Sequence, residues 1–314
     1  MIKNRITGLP DELDCFLGEL REHFSISEES KAYRNSNSQF VRKYIDVEEK
    51  KMSRVIAITN QKGGVGKTTT TSSLGIGLAR HGKKVMLIDA DPQGSLTESL
   101  GYLDPDNMKG TTLATIMAKV IKDESISPEE GVLHHAEGID LIPGNIDLSA
   151  MDTSLADVMC RETILRQYVD KVRELYDYIL IDCMPSLGLL TINSMAAADS
   201  VIIPVQAQYL PLKGMEQLFK SIAKVRRQIN PKLAIDGILL TMVDIRPKFT
   251  KTIIKRLHEN YDGHISIYHS MIPFSVRAAE TSSRGTSIYL FDPDGKVALA
   301  YESLTKEVED NEKQ

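Results

Sequence analysis

The chain has little of what marks secreted or metal-dependent proteins. It contains no tryptophan, and its three cysteines, Cys15, Cys160 and Cys183, are scattered along 314 residues without C-x-x-C spacing. That scatter argues against a disulfide framework or a thiolate metal site and is typical of a reducing cytoplasm. Leu9-Pro10-Asp11-Glu12 interrupts any apolar segment near the N-terminus, so we expect no signal peptide and a cytoplasmic location.

The sequence also lacks a long apolar run and a net positive charge, which restricts the membrane and nucleic-acid interactions that we expect. No run of about twenty apolar residues exists, so we expect nothing that spans a membrane. The formal net charge is −5, so a globally basic surface cannot be the basis of nucleic-acid binding, and any such site must be local. The hydrophobic content of 42% is ordinary for a globular protein with a full core.

From residue 53 onward, apolar strands alternate with helical patterns. Several strands are apolar on both faces, which is typical of a parallel sheet covered by helices on each side. The pattern predicts an α/β fold with a doubly wound, mostly parallel sheet of about 7–8 strands. The predicted strands are 54–59, 84–89, 139–142, 178–182, 200–205, 237–242 and 266–268. The predicted helices are 68–80, 113–122, 164–175, 189–198, 213–230, 250–260 and 297–308.

Residues 1–52 differ from the domain over 53–314. Pro10 can open a helix, a second helix could start at Ser25, and residues 39–51 are charged and partly helical in pattern. The sequence therefore predicts a helical N-terminal extension that packs on the main domain or on a partner chain. A DNA-reading helix-turn-helix is less favoured, because 50 residues leave little room for one and its support.

The segment Lys62-Gly63-Gly64-Val65-Gly66-Lys67-Thr68-Thr69 lies between an apolar strand and a helical pattern. That context predicts a phosphate-binding loop, whose backbone N–H groups turn toward phosphate oxygens at a helix N-terminus. Lys67 would reach the β- and γ-phosphates of a nucleotide, and the Thr68 hydroxyl would ligate Mg²⁺. The usual pattern has glycine at the position of Gln61, and a second lysine, Lys62, opens this loop instead.

Two other apolar strands end in aspartates. Asp182 follows one strand and is the candidate Mg²⁺ ligand of the Walker-B type. Asp89 and Asp91 follow another strand and are expected near the γ-phosphate, one ordering the Mg²⁺ waters and the other orienting the attacking water. The competing interpretation is that each aspartate caps the helix that follows it.

Together these motifs closely resemble the ParA/Soj partition ATPases of the deviant Walker-A group, which also contains MinD. The resemblance rests on residues 61–69, 89–94, 182–188, 240–246 and 272–280 and covers about residues 53 to 308. One departure is Met184, where the family usually has the first proline of a Pro-Pro pair in its second switch.

The resemblance implies roles for individual residues. Lys62 matches the signature lysine that reaches the partner's ATP across a dimer, and Gly63 matches a glycine that lets two monomers approach. Asp91 matches the aspartate needed for hydrolysis but not for binding. Met242 and Pro273 match positions that hold adenine. The ATP-binding residues implied are Lys62, Gly63, Gly64, Val65, Gly66, Lys67, Thr68, Thr69, Met242 and Pro273.

A local cluster of basic residues follows the strand that ends at Met242. It includes Arg246, Lys248 and Lys251, and clustering of this kind suggests contacts to a DNA backbone, although a solvated helix face is the ordinary alternative. Arg246 and Arg277 match the two arginines by which Soj-like proteins bind nonspecific double-stranded DNA. The resemblance implies an ATP-dependent homodimer on DNA and a ParB-type centromere-binding partner that stimulates slow hydrolysis.

The sequence gives less support to three other functions. A MinD-like positioning switch needs a basic amphipathic C-terminal helix for the membrane, whereas residues 306–314 are mainly acidic. An electron-transfer ATPase like the nitrogenase iron protein needs paired cysteines at a dimer axis. A non-hydrolysing scaffold is disfavoured by Asp91 and Thr68.

Overall fold

A computed structural model of the protein describes residues 2–34, 39–49, 53–206, 212–244, 246, 248–261, 263 and 265–311. The chain divides into two compact units, Met1–Met52 and Ser53–Gln314. Each unit is described separately below.

The first unit is a small antiparallel sheet with one described helix. Strand β4 is central and pairs with β1 and β2, while the two-residue β3 also pairs with β4. Leu17 of the helix is buried with Ile45 and Val47 of β4. The elements are β1 Ile2–Gly8, α1 Pro10–His23, β2 Phe24–Glu29, β3 Tyr33–Arg34 and β4 Val41–Glu49.

The prediction of a helical N-terminal extension is wrong for the described segments that follow α1. A helix does start at Pro10, but the predicted helix at Ser25 is strand β2, and most of 39–51 is strand β4. In β4 the apolar Val41, Ile45 and Val47 are four and two residues apart. Even spacings place side chains on one face of a strand. The many charged residues between them concealed that alternation, and the pairing with β1 and β2 decides the conformation.

The second unit contains a doubly wound α/β sheet of eight described strands, as the sequence predicted. The strand order is β12-β11-β10-β5-β9-β6-β8-β7, and every pairing is parallel except that of β7 with β8. The two-residue edge strand β7 was not predicted because it is too short to show a pattern. The strands are β5 Arg54–Ile58, β6 Val85–Ala90, β7 Leu133–His134, β8 Ile139–Ile142, β9 Tyr178–Cys183, β10 Ser200–Gln206, β11 Ala234–Val243 and β12 Ile267–Pro273.

Helices cover both faces of this sheet. One buried cluster packs side chains of α4, α6, α7 and α8 on one face, and another packs α2 and α12 on the other. Burial of central strand residues such as Ile56 and Leu180, both 0% exposed, contributes roughly 1.5–3 kcal/mol each. The helices are α2 Lys67–Arg80, α3 Ser95–Ser99, α4 Leu113–Ile121, α5 Leu148–Ser154, α6 Ile164–Val172, α7 Leu189–Ala197, α8 Leu212–Gln228, α9 Lys248–Tyr261, α10 Val276–Arg284, α11 Ile288–Phe291 and α12 Lys296–Asn311.

Four of these helices, α3, α5, α10 and α11, were not predicted. Helices α3, α5 and α11 have four to seven residues, which is too short for helical periodicity to stand out, whereas α10 has nine residues, as the predicted α4 does. Within the described part of the chain, no helix is long and apolar enough to cross a membrane.

Candidate nucleotide site

The glycine-rich loop joins strand β5 to helix α2 at the carboxyl end of the sheet. Gly64 has a φ of 68° and Gly66 a φ of 84°, and L residues with side chains rarely adopt such values. Gly66 also directly precedes the first residue of α2, Lys67. The two glycines therefore allow the chain to turn around the helix N-terminus, where backbone N–H groups favour anions.

Side chains of strands β10 and β11 hydrogen-bond to two backbone carbonyls of the loop. Gln206 Nε2 at the end of β10 donates to the carbonyl of Gly64 at 2.8 Å, and Thr241 Oγ1 of β11 donates to the carbonyl of Val65 at 2.8 Å. Because a trans peptide points its C=O and N–H in opposite directions, these bonds orient the following amides away from β10 and β11. Sequence reasoning missed both residues, although a polar residue at the end of an apolar strand was a usable signal.

The two lysines of the loop occupy different environments. Lys67 is 6% exposed, and its Nζ lies 3.4 Å from the carbonyl oxygen of Lys62. Burial lowers the pKa of Lys67, and the charges of Asp182 and Asp91 oppose that shift. Lys62 is half-buried, with its Nζ 3.4 Å from Gln206 Oε1. Lys67 alone of the two therefore lies inside its own loop.

Asp182 lies beside the first turn of α2. In the sheet register it is paired with Ile58 of β5 on one side and with Asp89 of β6 on the other. Thr68 Oγ1 donates to Asp182 Oδ2 at 2.7 Å. Burial, together with the charge of Asp89, raises the pKa of Asp182 to about 8.

The donor set of Thr68 and Asp182 suits a hard divalent cation. A hydroxyl and a carboxylate are oxygen ligands of the kind that Mg²⁺ prefers. Asp182 is 1% exposed, and a buried carboxylate is costly unless a cation or hydrogen bonds compensate it. A cation held there would favour the ionised carboxylate. The residues present therefore fit the predicted magnesium site.

Asp89, the other predicted metal ligand, is hydrogen-bonded to helix α3. Its Oδ2 accepts bonds from the backbone N of Thr97 at 2.8 Å and from Thr97 Oγ1 at 2.7 Å, and its Oδ1 accepts from the backbone N of Asp91 at 3.2 Å. Burial raises the pKa of Asp89 to about 6 although the Thr97 bonds oppose that shift. Asp89 thus holds α3 in place, close to the capping role of the competing interpretation, and its role at the metal stays a prediction.

Asp91 lies in the loop between β6 and α3. It is 9% exposed, and its Oδ1 accepts a bond from the backbone N of Gln93 at 3.0 Å. Its charge acts on both Lys67 and Asp182, which places it in the same electrostatic environment as the glycine-rich loop. Asp91 and Asp89 are two residues apart, yet Asp89 is fully buried and bonded to Thr97 of α3, whereas Asp91 is 9% exposed and bonded within its own loop.

A cavity of about 150 Å³ opens between the ends of β11 and β12, beside the loop. Met242 and Pro273, the two residues expected around adenine, both line it, together with Gly66 and Thr69. Met242 has a φ of 51°, an uncommon value for a residue with a side chain, and such strain is often found at ligand sites. Tyr301 forms part of the wall, and its hydroxyl lies 3.3 Å from Thr70 Oγ1.

The two arginines of the predicted DNA surface are exposed but paired. The side chain of Arg246 is 88% exposed, and its Nε and Nη2 bond to the carboxylate of Asp244 at 2.9 and 2.7 Å. The side chain of Arg277 is 64% exposed, with Nη1 2.7 Å from Asp292 Oδ1. Lys248 and Lys251 belong to α9, and their side chains fall outside the described part of the chain.

The fold and the loop define the class of protein. A parallel sheet whose first strand leads through a glycine-rich loop into a helix, with a buried lysine, a threonine hydroxyl and a strand-end aspartate, is a P-loop nucleotide-binding domain.

Comparison with known proteins gives the family. A family model described as an AAA domain matches residues 53–235. The Soj sporulation initiation inhibitor of Bacillus subtilis is 40% identical over 260 residues, which is 83% of this chain and 100% of that protein. The chromosome partitioning protein ParA of Caulobacter vibrioides is 39% identical over 257 residues, which is 81% of this chain and 93% of the relative.

A solved structure agrees with these matches. Cobyrinic acid a,c-diamide synthase from Mycobacterium smegmatis, with bound ADP and magnesium, superposes with a TM-score of 0.70 and 33% identity, covering 81% of this chain and 93% of that one. The chain belongs to the ParA/Soj family of P-loop ATPases.

Proposed function

We propose that this protein is an ATP-dependent DNA partition ATPase of the cytoplasm. Binding of ATP with Mg²⁺ joins two chains into a sandwich dimer that binds duplex DNA without sequence preference and so associates with the nucleoid. Slow hydrolysis, stimulated by a ParB-type centromere-binding partner, returns the chains to monomers. The similarity to Soj and ParA over more than four fifths of the chain supports this proposal.

The nucleotide contacts follow from the described side chains. Backbone amides of Gly64 to Thr69 and the ammonium of Lys67 would bind the β- and γ-phosphates, and the cavity beside Met242 would take the base. Thr68 and Asp182 would hold Mg²⁺, which when bound supplies positive charge against the phosphate oxygens. Asp91 would orient the attacking water, because its charge acts on Lys67 while the Asp89 carboxylate is bonded to α3.

The environment of Lys62 is the observation that best supports the proposed dimer. The loop already has its own buried cation in Lys67, whereas Lys62 is half-buried and Gly63 and Gly64 beside it are exposed. A Cβ built on Gly63 would meet no atom of the other described residues within 4 Å, its two chain neighbours apart, so no contact among them requires glycine there. A second chain that approaches this surface would account for both features, with Lys62 completing the partner's phosphate site.

A membrane-acting, MinD-like function has less support. Helix α12 buries Tyr301, Leu304 and Val308, which are at most 1% exposed, against the domain. That face is therefore unavailable to a bilayer, which an amphipathic anchor must enter with its apolar side.

The DNA proposal is tested by titrating a labelled random duplex with the protein in ATP, in ADP and without nucleotide. We expect tight binding with ATP only, and Arg277→Ala should weaken it roughly tenfold because each lost phosphate contact reduces a salt-dependent affinity. Lys232→Ala is the matched control. Lys232 is exposed just before the start of β11, whereas Arg246 of the predicted DNA surface follows the end of that strand. Equal affinity with and without ATP, or equal loss in both variants, would refute this surface.

A further inference from the structure

Among its described residues, the N-terminal unit has a helix on one face of its sheet and none on the other. Side chains of successive strand residues alternate between faces, and α1 packs on the face that carries Ile45 and Val47. The residues between these positions belong to the opposite side, which we term the open face. Its described members are Lys3, Arg5, Glu28, Tyr33, Arg42, Tyr44 and Asp46.

Two tyrosines and an arginine form a cluster on the open face. Tyr33 of β3 is paired in register with Arg42 of β4, and Arg5 of β1 with Tyr44 of β4. The rings of Tyr33 and Tyr44 meet edge to face, with centroids 6.2 Å apart, and the guanidinium of Arg42 lies 6.0 Å from the Tyr33 ring. Three adjacent strands thus bring these groups to one surface.

Both tyrosines of this cluster present much of their surface to solvent. Tyr33 is 49% and Tyr44 45% exposed, so each tyrosine keeps about half of its surface in solvent. Among the described residues, Arg42 Nε has no hydrogen-bond partner although the atom itself is buried. Aromatic rings and arginine on an open sheet are the means by which sheets stack unpaired bases and hold a phosphate backbone.

We propose that the open face binds single-stranded DNA, and that it does so without ATP. Tyr33 and Tyr44 stack on successive bases, while Arg42 and Arg5 contact the phosphates between them. This goes beyond the proposed function, which concerns duplex DNA and residues of Ser53–Gln314. The choice of DNA over RNA alone rests on the proposed function, which has the chain act on DNA.

Charge favours a single strand over a duplex. Residues 1–52 carry nine Lys and Arg against ten Asp and Glu, and Glu28 lies in register with Asp46 on the open face itself. Duplex affinity comes mainly from many phosphate contacts to two backbones, which a unit of this charge does not supply. Stacking needs few phosphate contacts, because each base contributes through its ring.

The test uses the full-length protein without nucleotide and a fluorescein-labelled oligothymidylate of about twenty residues, a length that spans several stacking positions. Anisotropy should show saturable binding, and Tyr33→Ala and Tyr44→Ala should each weaken it roughly tenfold through loss of one stacked base. Tyr44→Phe should retain the affinity because the ring remains. Phe16→Ala is the matched control, since Phe16 is 44% exposed but lies on α1.

Arg42→Gln is a second test variant, which keeps most of the side-chain volume. It is used if circular dichroism shows that Tyr33→Ala or Tyr44→Ala does not fold. It should reduce the slope of log affinity against log salt by about 0.7 per lost phosphate contact. Unchanged affinity in Tyr33→Ala/Tyr44→Ala, or preference for a duplex or for oligouridylate of the same length, would overturn the proposal. Arg277→Ala should leave this binding unchanged, so failure of ATP-dependent duplex binding does not affect the result.

Discussion

Single residues of similar local sequence take different roles in this site. Asp89 and Asp182 each lie near the end of an apolar strand, but Asp89 binds Thr97 and the backbone of α3, whereas Asp182 faces Thr68. The sequence predicted both as metal ligands because the strand-end pattern is the same. What separates them is the contact each carboxylate makes in three dimensions, and Thr97 lies eight residues beyond Asp89, where no motif marked it.

Gln206 and Thr241 are site residues that the sequence did not indicate. Their bonds to the carbonyls of Gly64 and Val65 depend on β10 lying beside β5, with β11 next to it. Motif and spacing identified the loop residues themselves, since those are contiguous in the chain. Residues that support the loop from other strands become recognisable only when the strand order is known.

At the residue scale, the pairing of Arg246 with Asp244 predicts an effect on DNA binding. The carboxylate competes with phosphate for a guanidinium that is otherwise exposed, and Arg246 holds the pKa of Asp244 at about 2, so the carboxylate is ionised at neutral pH. Asp244→Asn should therefore raise ATP-dependent duplex affinity roughly two- to fivefold, the scale of a surface ion pair.

Asp170→Asn is the control for this prediction, because Asp170 is exposed on α6 and is also near an arginine, Arg173, at 3.8 Å. It removes one negative charge without releasing Arg246. Equal gains in the two variants would mean that net charge, and not the release of Arg246, sets the affinity. A lower affinity in Asp244→Asn would show that the pair positions Arg246 for DNA.

At the element scale, the C-terminal end of α2 is tied to α12. His81, directly after α2, bonds to Glu309 through Nδ1 at 2.7 Å and to Glu302 through Nε2 at 2.9 Å. The bond to Glu309 raises the pKa of His81 above its ordinary value, against the effect of burial. Because α2 begins at the phosphate loop, this contact links the loop helix to the last helix of the domain.

That contact predicts a pH dependence. A raised folded-state pKa means that the stabilisation by protonated His81 is fully present below about pH 6.5 and is lost as pH rises through the folded-state value. His81→Gln should lower the melting temperature by about 2–4 °C near pH 6, for a loss of about 1 kcal/mol in a domain of this size, and by less near pH 9. Differential scanning fluorimetry of both proteins at the two pH values measures this.

His269→Gln is the control, since His269 is exposed on β12, and its side chain has none of these carboxylate contacts among the described residues. The same loss at both pH values in His81→Gln would contradict the ionic account, because a packing defect does not titrate.

Elements were predicted in proportion to their length and regularity. The long apolar strands and seven of the eleven described helices of the second unit follow the expected patterns. In the strands, two-sided burial leaves few polar residues to obscure the apolar run. In the first unit the same patterns led to a wrong prediction for strand β4. Strand β4 has Arg42, Lys43 and Asp46 among its apolar positions, and its alternation is visible only when the partner strands β1 and β2 are in place.

At the scale of the whole molecule, the two units have different relations to known proteins. The matched family model starts at residue 53, where the second unit begins. The motif-based resemblance made the fold of this unit predictable, since it fixed the loop, the switch aspartate and the sheet type together. The first unit lies outside that family model, and of its elements only the helix at Pro10 was predicted from the sequence.

The central claim for the whole molecule is an ATP-dependent dimer in which Lys62 of each chain completes the partner's site. It is tested most directly by light scattering of Asp91→Ala after gel filtration in ATP and Mg²⁺. We predict a species of twice the 35.0 kDa chain mass, because ATP is bound but not hydrolysed. Asp91→Ala/Lys62→Ala should still bind ATP yet remain at the mass of one chain, whereas a dimer of that double variant, or an ATP-bound monomer of Asp91→Ala, would contradict the account.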